Sequence, residues 1–160
     1  MSDAAIRAII QDLDTARGVA LDERRQDLIP FGREICAHLA WGMARLKRQE
    51  ARVALLYTAV KFARVEPEAV TAAIAALDAR GAQVRRIACA LLAFSLERSA
   101  LPALRARAVI ERRNDIGADI ATAISAIETG DHHRWVDRSG SGRSFWNVVG
   151  AVLPEDRGPE

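Results

Sequence analysis

The stretch AQVRRIACALLAF, residues 82 to 94, decides the fold class. Val84, Ile87, Ala88, Leu91 and Leu92 recur at three- and four-residue intervals, which brings them onto one face of an α-helix. The alternation of polar and apolar residues that marks a strand is absent from the chain. Downstream, SALPALRARAVIERR (residues 99–113) reads as a second helix with Ser99 as its N-cap. A third follows in DIGADIATAISAI, capped by Asn114 or Asp115 and closed by Gly130. Upstream, Glu66-Pro67 restarts a helix, because proline fits a first turn; Val70, Ala73, Ile74 and Leu77 form its stripe and Gly81 stops it. Glu50 to Arg64 makes another, with Val53, Leu56, Tyr57 and Val60 expected to face inward.

The N-terminal quarter keeps the same spacing. Ile6, Ile9, Ile10 and Leu13 make residues 3 to 16 a short amphipathic helix ended by Gly18. A helical region follows Asp22 and breaks at Pro30, after which Ile35, Leu39, Met43 and Leu46 continue from Phe31. Connections of roughly two to five residues force successive helices to be antiparallel. The expected class is therefore all-α, with consecutive helical hairpins stacked as a short solenoid or irregular bundle. One domain is expected, with N-terminal helices over 1–48, repeat-like hairpins over 49–131 and a C-terminal cap and flexible tail over 132–160.

Composition excludes several classes. No apolar run approaches the roughly 20 residues that span a bilayer. Acids interrupt the first apolar pattern, so no signal peptide is visible, and Cys36 and Cys89 lie in apolar helical surroundings without CxxC spacing. Reduced, buried thiols and a cytoplasmic location are the expectation. The net charge of +2 is too small to announce a nucleic-acid binder, but its distribution is uneven. Between Arg80 and Arg113 stand eight arginines against Glu97 and Glu111, a window of +6, which leaves −4 for the rest of the chain.

Periodicity sharpens the picture. Val53, Val84 and Ile116 begin comparable helices, 31 and then 32 residues apart, and Val70 and Leu101 each follow 17 residues after the start of their unit. Three residues into each unit stand Leu56, Ile87 and Asp119, the last an acid where the register asks for an apolar residue. Over residues 50 to 131 the chain resembles the HEAT-like helical repeats. Val84-Arg85, Ala88 and Leu91 match that family's V-R-x-x-A-x-x-A-L helix, and Ala100-Leu101-Pro102 with Leu104 match its A-L-P-x-L helix. The resemblance implies a scaffold or protein-binding role. In the third unit the second helix would begin at His133, but the chain departs from the pattern with H-R-W-V and S-G-S-G. Terminal repeats are atypical because the last apolar face must be covered, and Trp135, Phe145, Trp146, Val148 and Val149 suit such a cap.

Four groups are candidates for chemistry. His132-His133 with Asp131 or Asp137 would suggest a metal, but adjacent side chains diverge and no second cluster completes a site; no metal or cofactor is expected. The R-S-G-S-G-R loop between Arg138 and Arg143 would admit a phosphate, yet it lacks the G-x-x-x-x-G-K pattern and follows no strand, which favours a turn. Arg33 and His38 resemble the R-x4-H motif of HEPN-type helical ribonucleases, in which Arg and His act together on the scissile phosphate, usually in a dimer. Glu34 stands where that family carries a polar Asn, Asp or His, and the motif sits early in the chain, whereas the family carries it near the end of its bundle.

The fourth group is an arginine ridge. Arg98, Arg105 and Arg112 are spaced by seven and are expected to line one face of a single helix, with Arg85 or Arg86 close by. It would meet an acidic protein partner, a phosphate backbone or only solvent. No aromatic residues interleave with it, which argues against base stacking. The expected function is a non-catalytic interaction module that binds a protein through this arginine-rich helical face. The rivals are a small basic nucleic-acid-binding subunit and an Arg33/His38 ribonuclease.

Overall fold

The structure is a computed structural model that describes residues 2–137 and 148–156. All regular structure among them is helical: α1 (Ser2–Asp12), α2 (Val19–Gln26), α3 (Leu39–Arg45), α4 (Gln49–Ala59), α5 (Pro67–Ala76), α6 (Ala82–Ser95), α7 (Leu101–Ile110) and α8 (Asn114–Thr129). Short 3-10 turns join several of these. The sequence sets most boundaries by its cyclic and glycine residues. Pro67 occupies the first turn of α5 behind an extended Glu66. Gly32, at φ 55°, breaks the 3-10 segment Ile29–His38 into two pieces ahead of α3, and Pro30 occupies that segment's first turn, a restart rather than the break itself. Gly130, at φ 69°, ends α8: its N–H bonds to Ile127 O at 3.3 Å and that of Asp131 to Ala126 O at 3.0 Å, the paired pattern that closes helices in the left-handed conformation.

Four expectations about helix ends and faces are corrected. Ser99 does not cap α7; it lies in a 3-10 turn, Arg98–Ala100, where its N–H donates to the Glu97 carboxylate at 3.2 Å. Asn114 and Asp115 lie inside the first turn of α8, whose N-cap position is Arg113. Gly81 starts α6 rather than ending α5, which already stops at Ala76. Tyr57 faces outward, 57% exposed, with the Arg25 guanidinium 5.1 Å from its ring centre. The inward arc of α4 runs instead through Ala51, Ala54, Leu55, Leu56 and Thr58, because α2, α3 and α6 all pack on it.

Three helices form a central layer, in which α6 lies between α4 and α8 and packs extensively against both. Around this first layer, α3 touches α4 and α5, α5 packs on α6, and α7 packs on α8. The sequential pairs α5–α6 and α7–α8 are the tight hairpins, whereas α6 and α7 scarcely touch. The spacing of Val53, Val84 and Ile116 groups α6 with α7 instead. One continuous core runs from Ile6 and Ile10 through Leu55, Leu56, Leu91 and Phe94 to Ile120 and Ile127. Each large aliphatic side chain fully withdrawn from water there contributes about 1.5–3 kcal/mol. At the N-terminal end, Gly42 lets α3 approach α1 and α4 closely: a Cβ there would stand 2.6 Å from Leu55 Cδ2 and 2.9 Å from Ile10 Cγ2.

The C-terminal segment crosses one end of the first layer. A 3-10 turn, His132–Trp135, packs on α8 and α6. The Phe94 and His132 rings meet edge to face at 5.2 Å, and Arg64 joins them, donating Nε to Phe94 O at 2.7 Å and lying 2.8 Å through Nη2 from His132 Nδ1. Further on, Val148, Ala151, Val152 and Leu153 pack against the core, and the Val152 N–H donates to Lys61 O at 2.8 Å. The described part of this segment therefore straps together the chain beyond α8, the C-terminal end of α6 and the turn that follows α4. Trp135 and Val148 belong to it, while Val149 is exposed. Phe145 and Trp146 lie outside the described residues.

Candidate functional site

The arginine-rich segment is built by the turns around α6, α7 and α8. Arg85, on the first turns of α6, is buried and meets Glu111 in a two-pronged ion pair, Nε to Oε2 at 2.7 Å and Nη2 to Oε1 at 3.0 Å. Its remaining donor, Nη1, reaches Ala79 O and Arg80 O, both at 2.8 Å. Glu111 also accepts from Arg107 Nε at 3.2 Å and Nη2 at 3.1 Å, and from the backbone N–H groups of Arg112 and Arg113. Burial works against its charge, but these donors, Arg85 first, hold the carboxyl down to about 2. Glu111 is thus the knot that stops α7, opens α8 and ties both to α6.

A second knot uses Arg86. Its Nε donates to Asp119 at 2.8 Å and its Nη2 to Asp115 at 3.0 Å, while Arg113 clasps Asp115 at 3.0 and 2.9 Å. The bond to Asp119 raises the Arg86 pKa, and hydrogen bonds from Arg113 lower Asp115 to about 2. Asp119, the acid in an apolar register position, is buried beside the guanidinium that stabilises it. Arg85 and Arg86 therefore spend their charge within the chain.

The ridge itself is not one helical stripe. Only Arg105 of its three arginines lies on α7; Arg98 sits in the preceding 3-10 turn and Arg112 in the turn after Glu111. The seven-residue spacing is real in sequence, but Pro102 in the first turn and the extended Glu111 cut the helix short at both ends. Arg105 pairs with Glu128 at 2.5 Å across an exposed surface. Arg98 and Arg112 are exposed and have no ion pair among the described residues. Between them α7 buries Leu101 and Leu104 and presents Val109, 85% exposed, and Ile110, 60% exposed. Sequence reasoning missed this aliphatic pair. The signal was available: residues 109 and 110 fall off the stripe through Leu101, Leu104 and Arg107.

Arg33 and His38 are not brought together. Arg33 is exposed and its Nε lies 3.6 Å from Glu66 Oε1. His38 is buried against α1, with Nδ1 accepting from Arg7 Nε at 3.4 Å and Nε2 lying 3.3 Å from Asp3 Oδ1. The side chains of His132 and His133 do not diverge as expected: their rings lie 4.1 Å apart, tilted by 36°, and Asp131 caps their turn by accepting the His133 N–H at 3.0 Å. Arg138 and Arg143 lie outside the described residues. Cys36 and Cys89 are both buried, and burial pushes their thiols up to about 12, far from the thiolate form.

Among the described residues no group of three or more His, Cys, Asp or Glu side chains is placed to hold a metal ion. No helix there is long and apolar enough to cross a membrane. No family model, curated protein or solved structure matches the chain.

Proposed function

We propose that the chain is a non-catalytic interaction module that binds a protein partner through α7 and the turns at its two ends. One observation carries this reading: Val109 and Ile110 stand in solvent on a helix bracketed by the exposed Arg98 and Arg112, while the other arginines around them are held by Glu111, Asp115, Asp119 and Glu128. Exposed β-branched residues rimmed by cations gain from burial against a protein surface and gain little from a phosphate backbone. Arg98, Arg105 and Arg112 remain the contact arginines of this proposal, whereas Arg85 and Arg86 support the face from behind. The HEAT-like resemblance is part of the same proposal: α3, α5 and α7 would be the layer that offers a binding surface.

A nucleic-acid role is the second reading, favoured by the exposed arginines Arg98 and Arg112. A photo-crosslinking residue placed at position 109 separates the two. Irradiation in a lysate of the native host, split into nuclease-treated and untreated halves, is expected to yield a discrete protein adduct in both. The same residue at Glu23, on α2, serves as the control position. An adduct that contains nucleic acid and vanishes on digestion would overturn the protein-binding reading.

A further inference from the structure

We propose that the partner offers α7 an amphipathic helix whose apolar stripe is flanked by carboxylates; this rests on the protein-binding reading above. The face that would receive it is exposed along its length, through Pro102, Arg105, Ala106, Val109 and Ile110. Pro102, Ala106 and Val109 recur at four and then three residues, so they present one apolar ridge over the ten residues of α7. That is about 15 Å of helix, the length over which one helix of about three turns lies against another.

Charge selects the occupant. Arg98 and Arg112 bracket the ridge at its two ends and are free of ion pairs among the described residues, so carboxylates facing them gain a partner without displacing one. Arg105 is held by Glu128 in an exposed pair of the kind that contributes little, and an incoming carboxylate can exchange with it. A second copy of the chain fits poorly. Two α7 helices related by a two-fold axis would set Arg105 against Arg105 and Arg98 against Arg112. A phosphate backbone would leave Val109 and Ile110 uncovered. An acidic amphipathic helix covers the aliphatic pair and answers the arginines at once, one helix laid along another.

The test uses the full chain and three fluorescein-labelled probes. They are an 18-residue helical peptide of Leu, Ala and Glu with leucines at three- and four-residue spacing, its Lys-for-Glu counterpart, and a single-stranded RNA oligonucleotide. Fluorescence anisotropy in 150 mM salt is expected to show the Glu peptide binding at least ten-fold tighter than either other probe. Val109→Asn with Ile110→Asn is expected to weaken it ten-fold or more. Arg98→Glu with Arg112→Glu is expected to switch the preference to the Lys peptide. All four positions are exposed, and an unchanged thermal transition verifies that each variant folds.

Equal binding of the Glu and Lys peptides, tighter binding of RNA, or affinity that survives both pairs of substitutions would overturn the inference. The crosslink at position 109 then says which idea has failed. Capture of a protein through a segment without acidic residues sinks the acidic helix and keeps the protein-binding reading. Failure of capture together with failure of the Glu peptide sinks both.

Discussion

Arg85 and Glu111, 26 residues apart, form a bidentate ion pair in which the two side chains are only 8% and 2% exposed. Removing one member of such a pair leaves the other charge in a poorly hydrated site, which costs about 3 kcal/mol or more. Glu111→Gln is expected to lose about that much stability in urea unfolding. A loss below about 1 kcal/mol would show that the knot does not hold α6 to the α7–α8 turn.

The same carboxylate makes stability depend on acid. Glu111 sits near 2 in the fold against an ordinary value of 4.5. A depressed folded value means its contribution is complete above the unfolded value and is lost as pH falls from there towards 2. The stability gap between the native chain and Glu111→Gln is therefore expected to be constant from pH 8 to about 5.5 and to shrink towards pH 3. A gap that widens on acidification would contradict this assignment.

Arg86 and Asp119 predict an asymmetry. Asp119 is 2% exposed, whereas Arg86 is 40% exposed and also touches Asp115. Losing Asp119 leaves Arg86 with water and a second acid; losing Arg86 takes a charged donor from a buried carboxylate. Arg86→Met is expected to cost about 2 kcal/mol, and Asp119→Ala distinctly less. Thermal unfolding that ranks them the other way would show that Asp119 contributes through contacts other than the one with Arg86.

These two knots mark where sequence reasoning reached its range. The helices, the restart at Pro67 and the closure at Gly130 were legible because they depend on residues within one turn of each other. The oddity of Asp119 was legible as a register violation, but its partner stands 33 residues away and no local pattern points to it. Tyr57 was misplaced because a single stripe was drawn on α4, a helix that neighbours on several sides bury more broadly. The arginine ridge was over-read for the opposite reason: a heptad spacing was continued from the 3-10 turn Arg98–Ala100 through α7 and past Glu111, where the backbone turns extended. Glu111 itself stands four residues after Arg107, a helical pairing distance, and that signal went unused.

Gly42 tests the crossing of α1, α3 and α4. The space for its missing Cβ is filled by Leu55 and Ile10, both fully buried, so neither side chain can retreat into solvent. Gly42→Ala gains helix propensity yet is expected to lose about 1–3 kcal/mol through overpacking. A stabilised variant would mean that the three helices separate more readily than this packing implies.

The strap across the helix ends makes its own prediction. Ending the chain after Asp137 removes the Val148–Leu153 contacts and the hydrogen bond to Lys61 while keeping the His132–Trp135 turn. Among the described residues four partly buried apolar side chains are lost, for an expected cost of about 2–3 kcal/mol. His132→Ala in the full chain removes the Arg64 contact and the edge-to-face meeting with Phe94, with an expected cost of about 1–2 kcal/mol. An unchanged melting temperature in the shortened chain would show that the strap rests on the layer without holding it.

Arg33 and His38 separate a structural histidine from a catalytic one. His38 is enclosed by Asp3 and Arg7 of α1, and Arg7 also lies 5.1 Å from the ring centre of Trp41, which Arg45 approaches from 4.5 Å. The imidazole therefore links the first helix to the 3-10 segment that precedes α3. His38→Ala is expected to lower stability by about 1–2 kcal/mol and to loosen α1, read as faster amide exchange over residues 6–12. Arg33 reaches only Glu66 from an exposed position, and Arg33→Ala is expected to change stability by less than about 0.5 kcal/mol. Neither variant is expected to alter the integrity of a labelled RNA incubated with the protein. RNA cleavage by the native chain that both substitutions abolish would reunite the two residues as a catalytic pair, in a conformation or dimer where Arg33 leaves Glu66 and His38 leaves α1.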